Sequence, residues 1–402
     1  MGGFKLWISI YNKELNLFKN FLNFAFQFYH LNEYFSLVKD PRIKFQIPLN
    51  DIFSVLFLKS VFDLSAFLQI DQFLNLNINR KFKTTISDSH IIWVLSKIKS
   101  KELEKILFKV FKQIDKSLCP FKGLKLGAID GTLMSGYYVS AFQFLSEEVP
   151  YVLSIQRYAK RDEEINASRN LMMKLVKELG EGFIDLIVVD ALYKIKMMKF
   201  FKRLGMKTLV KTTENRLEIV KELEGFIRIK ADNVKIYEGI DYKRLEKYKI
   251  YEMGYEWGGE KVNIAKVEEK KIKKRKEKSK GKKKEQEKSS EESYWIITNE
   301  TRLKGEDMKK IAKRRWGIEN NGFKGLNEFG KIKRRWTGKW VVAENFLLMV
   351  FLSYALVNLF EELFNKECGE LIEEEYGKVV KNFKFFVKCM LARLTFKFED
   401  TS

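Results

Sequence analysis

The sequence predicts an α/β fold: a mixed five-stranded sheet flanked by helices, with a helical N-terminal region and a β-rich insertion. Three observations lead there. Residues 1–118 carry helical periodicity throughout, whereas short β-branched and aromatic runs alternate with amphipathic stretches between residues 124 and 213. Two apolar runs in that second region, "LKLGAID" and "IDLIVVD", each end in an acid, Asp130 and Asp190.

In the first 118 residues, "IPLNDIFSVLFLKSVFDLSAFLQIDQFL" presents a broad apolar helical face entered at Pro48 and Asn50. "SDSHIIWVLSKIKSKELEKILFKVFKQIDK" opens on Ser87, Asp88 and Ser89 as N-cap candidates, with a break near Lys99–Lys101. This region is either a small DNA-binding domain or a packing domain. Residues 119–213 form the first part of the core. "LKLGAID", "GYYVSAFQFL" and "VPYVLSIQRYA" read as strands, and "EEINASRNLMMKLVKELG" as a helix stopped at Gly180. "IDLIVVD", apolar on both faces, reads as a central strand. The helix "KIKMMKFFKRLG" and the strand "MKTLVKT" complete a β-β-β-α-β-α-β order.

Residues 214–300 read as short strands with glycine turns, interrupted by a mobile cationic loop over 268–292. "YWIITNE" returns to strand, and residues 301–366 hold a helix starting near Lys304 and a second, apolar one. Residues 367–402 are expected to be a helical tail.

Charge narrows the partner. The 402 residues contain 75 Lys and Arg against 53 Asp and Glu, a net charge of +22. Such an excess suits a polyanion, because cations that neutralise phosphates release condensed counterions. An anionic membrane surface would attract the same charge. The cysteines, Cys119, Cys368 and Cys389, are dispersed, which argues against a disulfide framework or thiolate zinc. His30 and His90 are the only histidines, so any metal falls to oxygen ligands, which suits Mg²⁺ or Mn²⁺. The N-terminus has no secretory pattern. The longest apolar run, Asn345 to Phe360, is shorter than a membrane span and bounded by Glu344 and Glu361. A buried core helix, a cytoplasmic setting and no membrane partner are expected.

Asp130 and Asp190 stand where ligands bind in open α/β sheets, beyond the carboxyl ends of strands. An Asp there is commonly a turn residue or helix cap. If the two strands are neighbours, however, the carboxylates converge and need a cation between them. A third acid, Glu319, lies in "KRRWGIENNGFKGL" among Lys313, Arg314, Arg315 and Lys324. Arg315, one helical turn earlier, is placed either to pair with Glu319 or to reach a phosphate. "KIKRRWTGKW", Lys331 to Trp340, alternates cations with aromatics as a nucleic-acid patch does.

"AIDGT", "VVDALY", "YWIITNE" and "RRWGIENNGFK", in this order, resemble the IS4-type DDE transposases of bacterial insertion sequences. The resemblance covers roughly residues 40–360. It implies an RNase H-like catalytic core with a β-rich insertion between the second Asp and the Glu. It places the catalytic, metal-holding acids on Asp130, Asp190 and Glu319, with two Mg²⁺ or Mn²⁺ ions, Asp130 bridging both. The DNA contacts would be Arg315, Lys324, Lys333, Arg334 and Arg335. Two signature positions differ: the family's Tyr falls on Ala312 and its Lys on Leu326. The implied activity is cleavage at transposon terminal inverted repeats and strand transfer into target DNA by a homodimer. The alternatives are a transposase-derived DNA-binding protein without chemistry and a metal-dependent nuclease without strand transfer.

Overall fold

The computed structural model describes residues 19–42, 45, 47–62, 88–114, 121–145, 150–193, 195–215, 217–241, 246–276, 285–317 and 322–363. After a π-helical turn at Phe24–Phe28 come helices α1 (Leu31–Ser36), α2 (Leu49–Phe62), α3 (Asp88–Lys97) and α4 (Ser100–Ile114). Strands β1 (Leu126–Met134), β2 (Tyr137–Leu145) and β3 (Pro150–Tyr158) follow, then α5 (Glu164–Leu179), β4 (Leu186–Val189), α6 (Ile195–Arg203) and β5 (Lys207–Thr212). Next are α7 (Glu218–Arg228), β6 (Lys235–Asp241), β7 (Glu246–Trp257), β8 (Glu260–Lys276) and β9 (Glu285–Thr298). The last described elements are α8 (Gly305–Gly317), α9 (Lys324–Gly330) and α10 (Trp340–Leu363). The β-β-β-α-β-α-β order expected for the core is present, as is the break before α4.

The chain divides into two compact units: residues 1–119, 131–161 and 319–402, and residues 120–130 with 162–318. β1 runs from the second into the first.

The first unit is built on α10. This helix is apolar on every face, so only burial on all sides satisfies it. It packs against α2, α3, α4 and β3. It is long and apolar enough to cross a membrane, but 83% of that window is buried within the protein, as a core helix would be. Its few polar side chains have internal work. Asn345 Nδ2 donates to the carbonyls of Leu95 (2.9 Å) and Ile98 (3.0 Å), closing the C-terminal end of α3. Ser353 bonds back to Met349 within the helix at 2.8 Å. α4 turns Leu103, Ile106, Leu107, Val110, Phe111 and Ile114 inward. In this unit the strand order is β3-β2-β1. Ser135 and Gly136 join β1 to β2 with φ of 51° and 80°, the paired left-handed conformation of a tight hairpin.

In the second unit the strand order is β1-β4-β5-β9-β8-β7-β6. β1, β4 and β5 are parallel, and β5 then pairs antiparallel with β9. The expectation of a sheet closed at five strands is therefore corrected: the insertion continues the sheet from the β5 edge. The loop expected over 268–292 also needs correction. Residues 268–276 and 285–292 are paired strand, from Glu268 opposite Ser293 to Lys276 opposite Glu285. Within that register Lys270 stands opposite Glu291, and the Lys270 ammonium pairs with the Glu291 carboxylate at 2.9 Å. A third difference is α7, a helix where the residues around 225–229 read as strand.

Replacing Asn345 by Leu leaves the buried carbonyls of Leu95 and Ile98 without their donor. A loss of about 1–3 kcal/mol is expected, read as a lower urea midpoint with an unchanged slope.

Candidate active site

Parallel pairing sets the level of the strand ends. Leu126, Gly127 and Ala128 of β1 stand opposite Leu186, Ile187 and Val188 of β4. Two residues further along this register, Asp130 is level with Asp190. β4 itself is buried from end to end, so its apolar residues fix the strand while its last step delivers an acid to the rim. Asp190 Oδ1 accepts the Leu192 N–H at 2.9 Å, which turns the chain sharply after the strand. Two carboxylates so placed repel, and the charge between them comes from α8. Arg315 Nη2 lies 3.5 Å from Asp130 Oδ2 and 3.8 Å from Asp190 Oδ2. Its side chain is only 10% exposed.

The position of Arg315 follows from how α8 is held. Gly305 N donates to Glu252 Oε2 at 2.7 Å, giving the helix an acidic N-terminal partner. A Cβ on Gly305 would come within 2.7 Å of Ile250 Cγ2, so only glycine permits that approach. Asp307 in the first turn pairs with Lys122 at 2.6 Å. Further along, Lys313 pairs with Glu246 and with Glu269 (2.8 Å), and Lys309 with Glu269 (3.2 Å). Glu246 and Glu269 are almost fully buried. Burial alone would push the Glu269 carboxyl up; the ammonium groups of Lys313 and Lys309 outweigh it and hold it below its ordinary value. The Lys309 ammonium also sits 3.4 Å from the centre of the Tyr248 ring.

Next to Asp190, Tyr193 is fully buried. Its hydroxyl bonds to Ser168 Oγ (2.7 Å) and Glu164 Oε1 (3.2 Å). Burial pushes the Tyr193 hydroxyl far up; Ser168 opposes this, while Glu164, Asp190 and Asp130 add to it. It is a fixed hydrogen-bonding post beside the acids. The "VVDALY" run contains this Tyr, but nothing in it announces Glu164 or Ser168 as partners.

A family model described as a transposase DDE domain matches residues 151–356, just over half of the chain. The chain belongs to this DDE transposase family. A comparison with curated proteins gives no match. Membership brings DNA as the substrate class and chemistry that normally uses divalent metal ions. Asp190, Arg315, Lys324, Lys333, Arg334, Arg335 and Glu319 all fall within the matched span, and Asp130 precedes it.

Of the three acids expected to hold metal, Asp130 and Asp190 are among the described residues. Glu319 lies outside the described residues, and among the described residues no group of three His, Cys, Asp or Glu stands together as a metal site. What is present, two carboxylates at one level with a cation drawn between them, is a hard-oxygen donor pair that suits Mg²⁺ or Mn²⁺.

Three cations that precede Glu319 in the sequence have partners in the second unit. Lys313 is in the buried ion network, and the Arg314 guanidinium stacks 4.4 Å from the Phe121 ring centre. Arg315, expected on Glu319 or a phosphate, reaches Asp130 and Asp190; Glu319 itself lies outside the described residues. Lys324 is exposed. The two departures from the family signature occupy apolar surroundings: Ala312 is 1% exposed and Leu326 is fully buried.

In the first unit, Lys333, Arg334 and Arg335 are all exposed. Their segment is clamped to the β1–β2 turn. Trp336 N donates to Ser135 Oγ at 3.4 Å, and Tyr137 Oη to the Gly338 carbonyl at 2.8 Å. Arg157, exposed on β3, places its guanidinium 4.8 Å from the Tyr137 ring centre and 5.8 Å from that of Trp340. Nothing in the residues around Arg157 singles it out, because it joins the patch only through β2–β3 pairing.

Replacing Lys313 by Met strands Glu246 and Glu269 in the interior, and a loss of about 3–5 kcal/mol is expected from chemical denaturation. The Glu269 carboxyl is lowered on folding, so its stabilisation is complete above its unfolded value and fades as pH falls through the lowered one. The stability gap between wild type and Glu269→Gln should therefore narrow as the solution is acidified below about pH 4.5, measured by urea midpoints at stepped pH.

Proposed function

We propose that the protein is a DNA transposase of the IS4 type that cleaves transposon ends and transfers the freed strand to target DNA. The observation that carries this reading is the alignment of Asp130 and Asp190 on adjacent parallel strands with Arg315 between them, in a chain of the DDE family. β1–β5, with β1 and β4 side by side, serve as the RNase H-like core. Asp130, Asp190 and Glu319 would hold two Mg²⁺ or Mn²⁺ ions, whose charge activates the attacking oxygen and stabilises the departing 3′ oxygen.

The chain's own residues supply the rest. Asp130 and Asp190 are held by buried strands, so their carboxylates are preorganised rather than gathered on binding. Arg315, which balances their charge, is available to exchange this partnership for a DNA phosphate, a bidentate acceptor that guanidinium suits. Lys333, Arg334 and Arg335, with Lys324, hold the phosphate backbone and carry no sequence information of their own. A homodimer bridging two terminal repeats in the cytoplasm completes the reading.

The test uses labelled duplexes taken from the DNA flanking the gene, incubated with the protein and Mg²⁺. Cleavage followed by joining supports transposition. Cleavage without joining points to a nuclease, and binding without cleavage to a protein that has lost its chemistry. Asp130→Ala, Asp190→Ala and Glu319→Ala should each abolish cleavage and leave binding within about twofold, on the view that metal ligands act in chemistry more than in affinity. Comparable cleavage by any one of them rejects that residue's role. Replacing Lys333, Arg334 and Arg335 together by Ala should lower the slope of log K against log salt by about 2–3.

A further inference from the structure

In the first unit, β3 carries a cation that stands outside the basic segment from Lys331 to Trp340, and strand pairing decides its surroundings. Val139 of β2 stands opposite Arg157 of β3. Side chains two apart on a strand share a face, so Tyr137 joins Val139 and Arg157 on one side of the hairpin, as the diagonal neighbour of Arg157. Val139 is buried, Tyr137 is half-buried and Arg157 is exposed, so this face emerges from the core at its corner. There the Arg157 guanidinium rests 4.8 Å from the centre of the Tyr137 ring and 5.8 Å from that of Trp340. The two rings meet edge to face at 5.1 Å, and Trp340 is the first residue of α10.

An aromatic face orients a guanidinium without cancelling its charge, because the attraction comes from the ring quadrupole. Among the described residues no carboxylate pairs with Arg157. Lys309, Lys313 and Arg315 differ, since acids meet each of them. More positive charge gathers at the same corner. Arg335 lays its stem on the β1–β2 turn, where a Cβ on Gly136 would meet Cδ at 3.2 Å and Cγ at 3.3 Å. The Tyr137 hydroxyl donates to the Gly338 carbonyl at 2.8 Å, and Trp336 N donates to Ser135 Oγ at 3.4 Å. These bonds tie the hairpin and the basic segment into one corner. The first turn of α10, which begins there, holds no acid, and the N-terminal end of a helix itself favours anions.

We infer that Arg157, held on the Tyr137 and Trp340 rings, seats a backbone phosphate of duplex DNA at this corner of the first unit. This deepens the transposase reading and rests on it. A guanidinium offers two parallel N–H groups to a phosphate, and the rings hold its plane before DNA arrives. Arg335 and the N-terminal end of α10 add to the positive field at the seat. The contact positions the duplex and reads no base. It makes and breaks no bond. A lysine would keep the charge but has no planar group to lie on the rings or to fork toward two oxygens.

The test compares the full chain with Arg157→Gln, Arg157→Lys and Lys221→Gln, the last removing an exposed cation on α7. Affinity for a short fluorescent duplex is measured in Ca²⁺ at stepped salt. Arg157→Gln should bind about threefold to tenfold more weakly, with a slope of log K against log salt shallower by about 0.9. Arg157→Lys should keep the slope and recover only part of the affinity. Lys221→Gln should change the slope less than Arg157→Gln does. An unchanged slope in Arg157→Gln, an equal change in Lys221→Gln, or a Lys variant no better than the Gln variant would each overturn the assignment. A second measurement needs no variant and decides the matter if Arg157→Gln fails to fold. Amide hydrogen exchange over residues 135–139 and 336–341 of wild type should slow when the duplex is added. Unchanged exchange, or slowing by phosphatidylserine vesicles but not by the duplex, would overturn the seat. Failure of the transposase reading looks different: a supercoiled plasmid in Mn²⁺ would not be nicked, or nicking would survive Asp190→Ala. The duplex slopes still decide for or against Arg157 in that case.

Discussion

Two carboxylates held level on neighbouring strands repel each other, and the second unit is arranged around that repulsion. Unit charges about 4 Å apart interact by about 4 kcal/mol at an effective dielectric near 20, a sizeable part of a domain's net stability. The chain cannot relax by moving the acids, because β1 and β4 are locked into register by buried apolar residues. It answers with Arg315, whose guanidinium lies within 4 Å of both. A correctly placed helix then becomes a requirement, and the ion pairs of Lys309 and Lys313, the Glu252 contact and the close fit at Gly305 meet it. The same two carboxylates present hard oxygen atoms to any cation that approaches the rim.

The first unit solves a different problem. α10 has almost no polar face, so it can exist only surrounded, and α2, α3, α4 and β3 surround it. Asn345 and Ser353 stitch it to its neighbours where a purely apolar helix would leave carbonyls unmet. The basic segment from Lys331 to Trp340 precedes this anchored helix and is bonded at its other side to the β1–β2 turn. Its cations are thus displayed from a fixed backbone rather than a free tether, which lowers the entropy lost when a polyanion settles on them.

Much of the core was legible from residues alone. β4 is readable because a central strand must be apolar on both faces, and α4 because its apolar positions repeat at helical spacing. Asp130 and Asp190 stand out because an acid abruptly ends each apolar run. The illegible parts have physical causes. Lys309 and Lys313 look like solvated helix residues, because the acids that take them inward, Glu246 and Glu269, are dozens of positions away in the chain. The outer halves of β8 and β9 are almost entirely charged and polar, with no apolar alternation, so they resemble a loop until their register is known. α7 was obscured by β-branched Ile227 and Ile229 and by Gly225, which favour a strand or a turn locally while the burial of Ile219, Val220 and Leu223 favours a helix. The approach of Arg315 to Asp130 and Asp190 was not legible either, since residues so far apart in the chain are brought together only by the packing of α8 on the sheet.

The ion network beneath α8 has an implication for how such a protein can change over generations. Insertions are often imagined as cassettes that lineages gain or shed freely. Here Glu246, Glu252 and Glu269 belong to the inserted strands, while Lys309, Lys313 and the amide of Gly305 belong to the helix that follows. Excising the strands in one step would leave two lysines and a helix end facing an apolar interior. The strands β7 and β8 and the helix α8 are thus coupled through buried charge, and neither side of that network tolerates loss of the other.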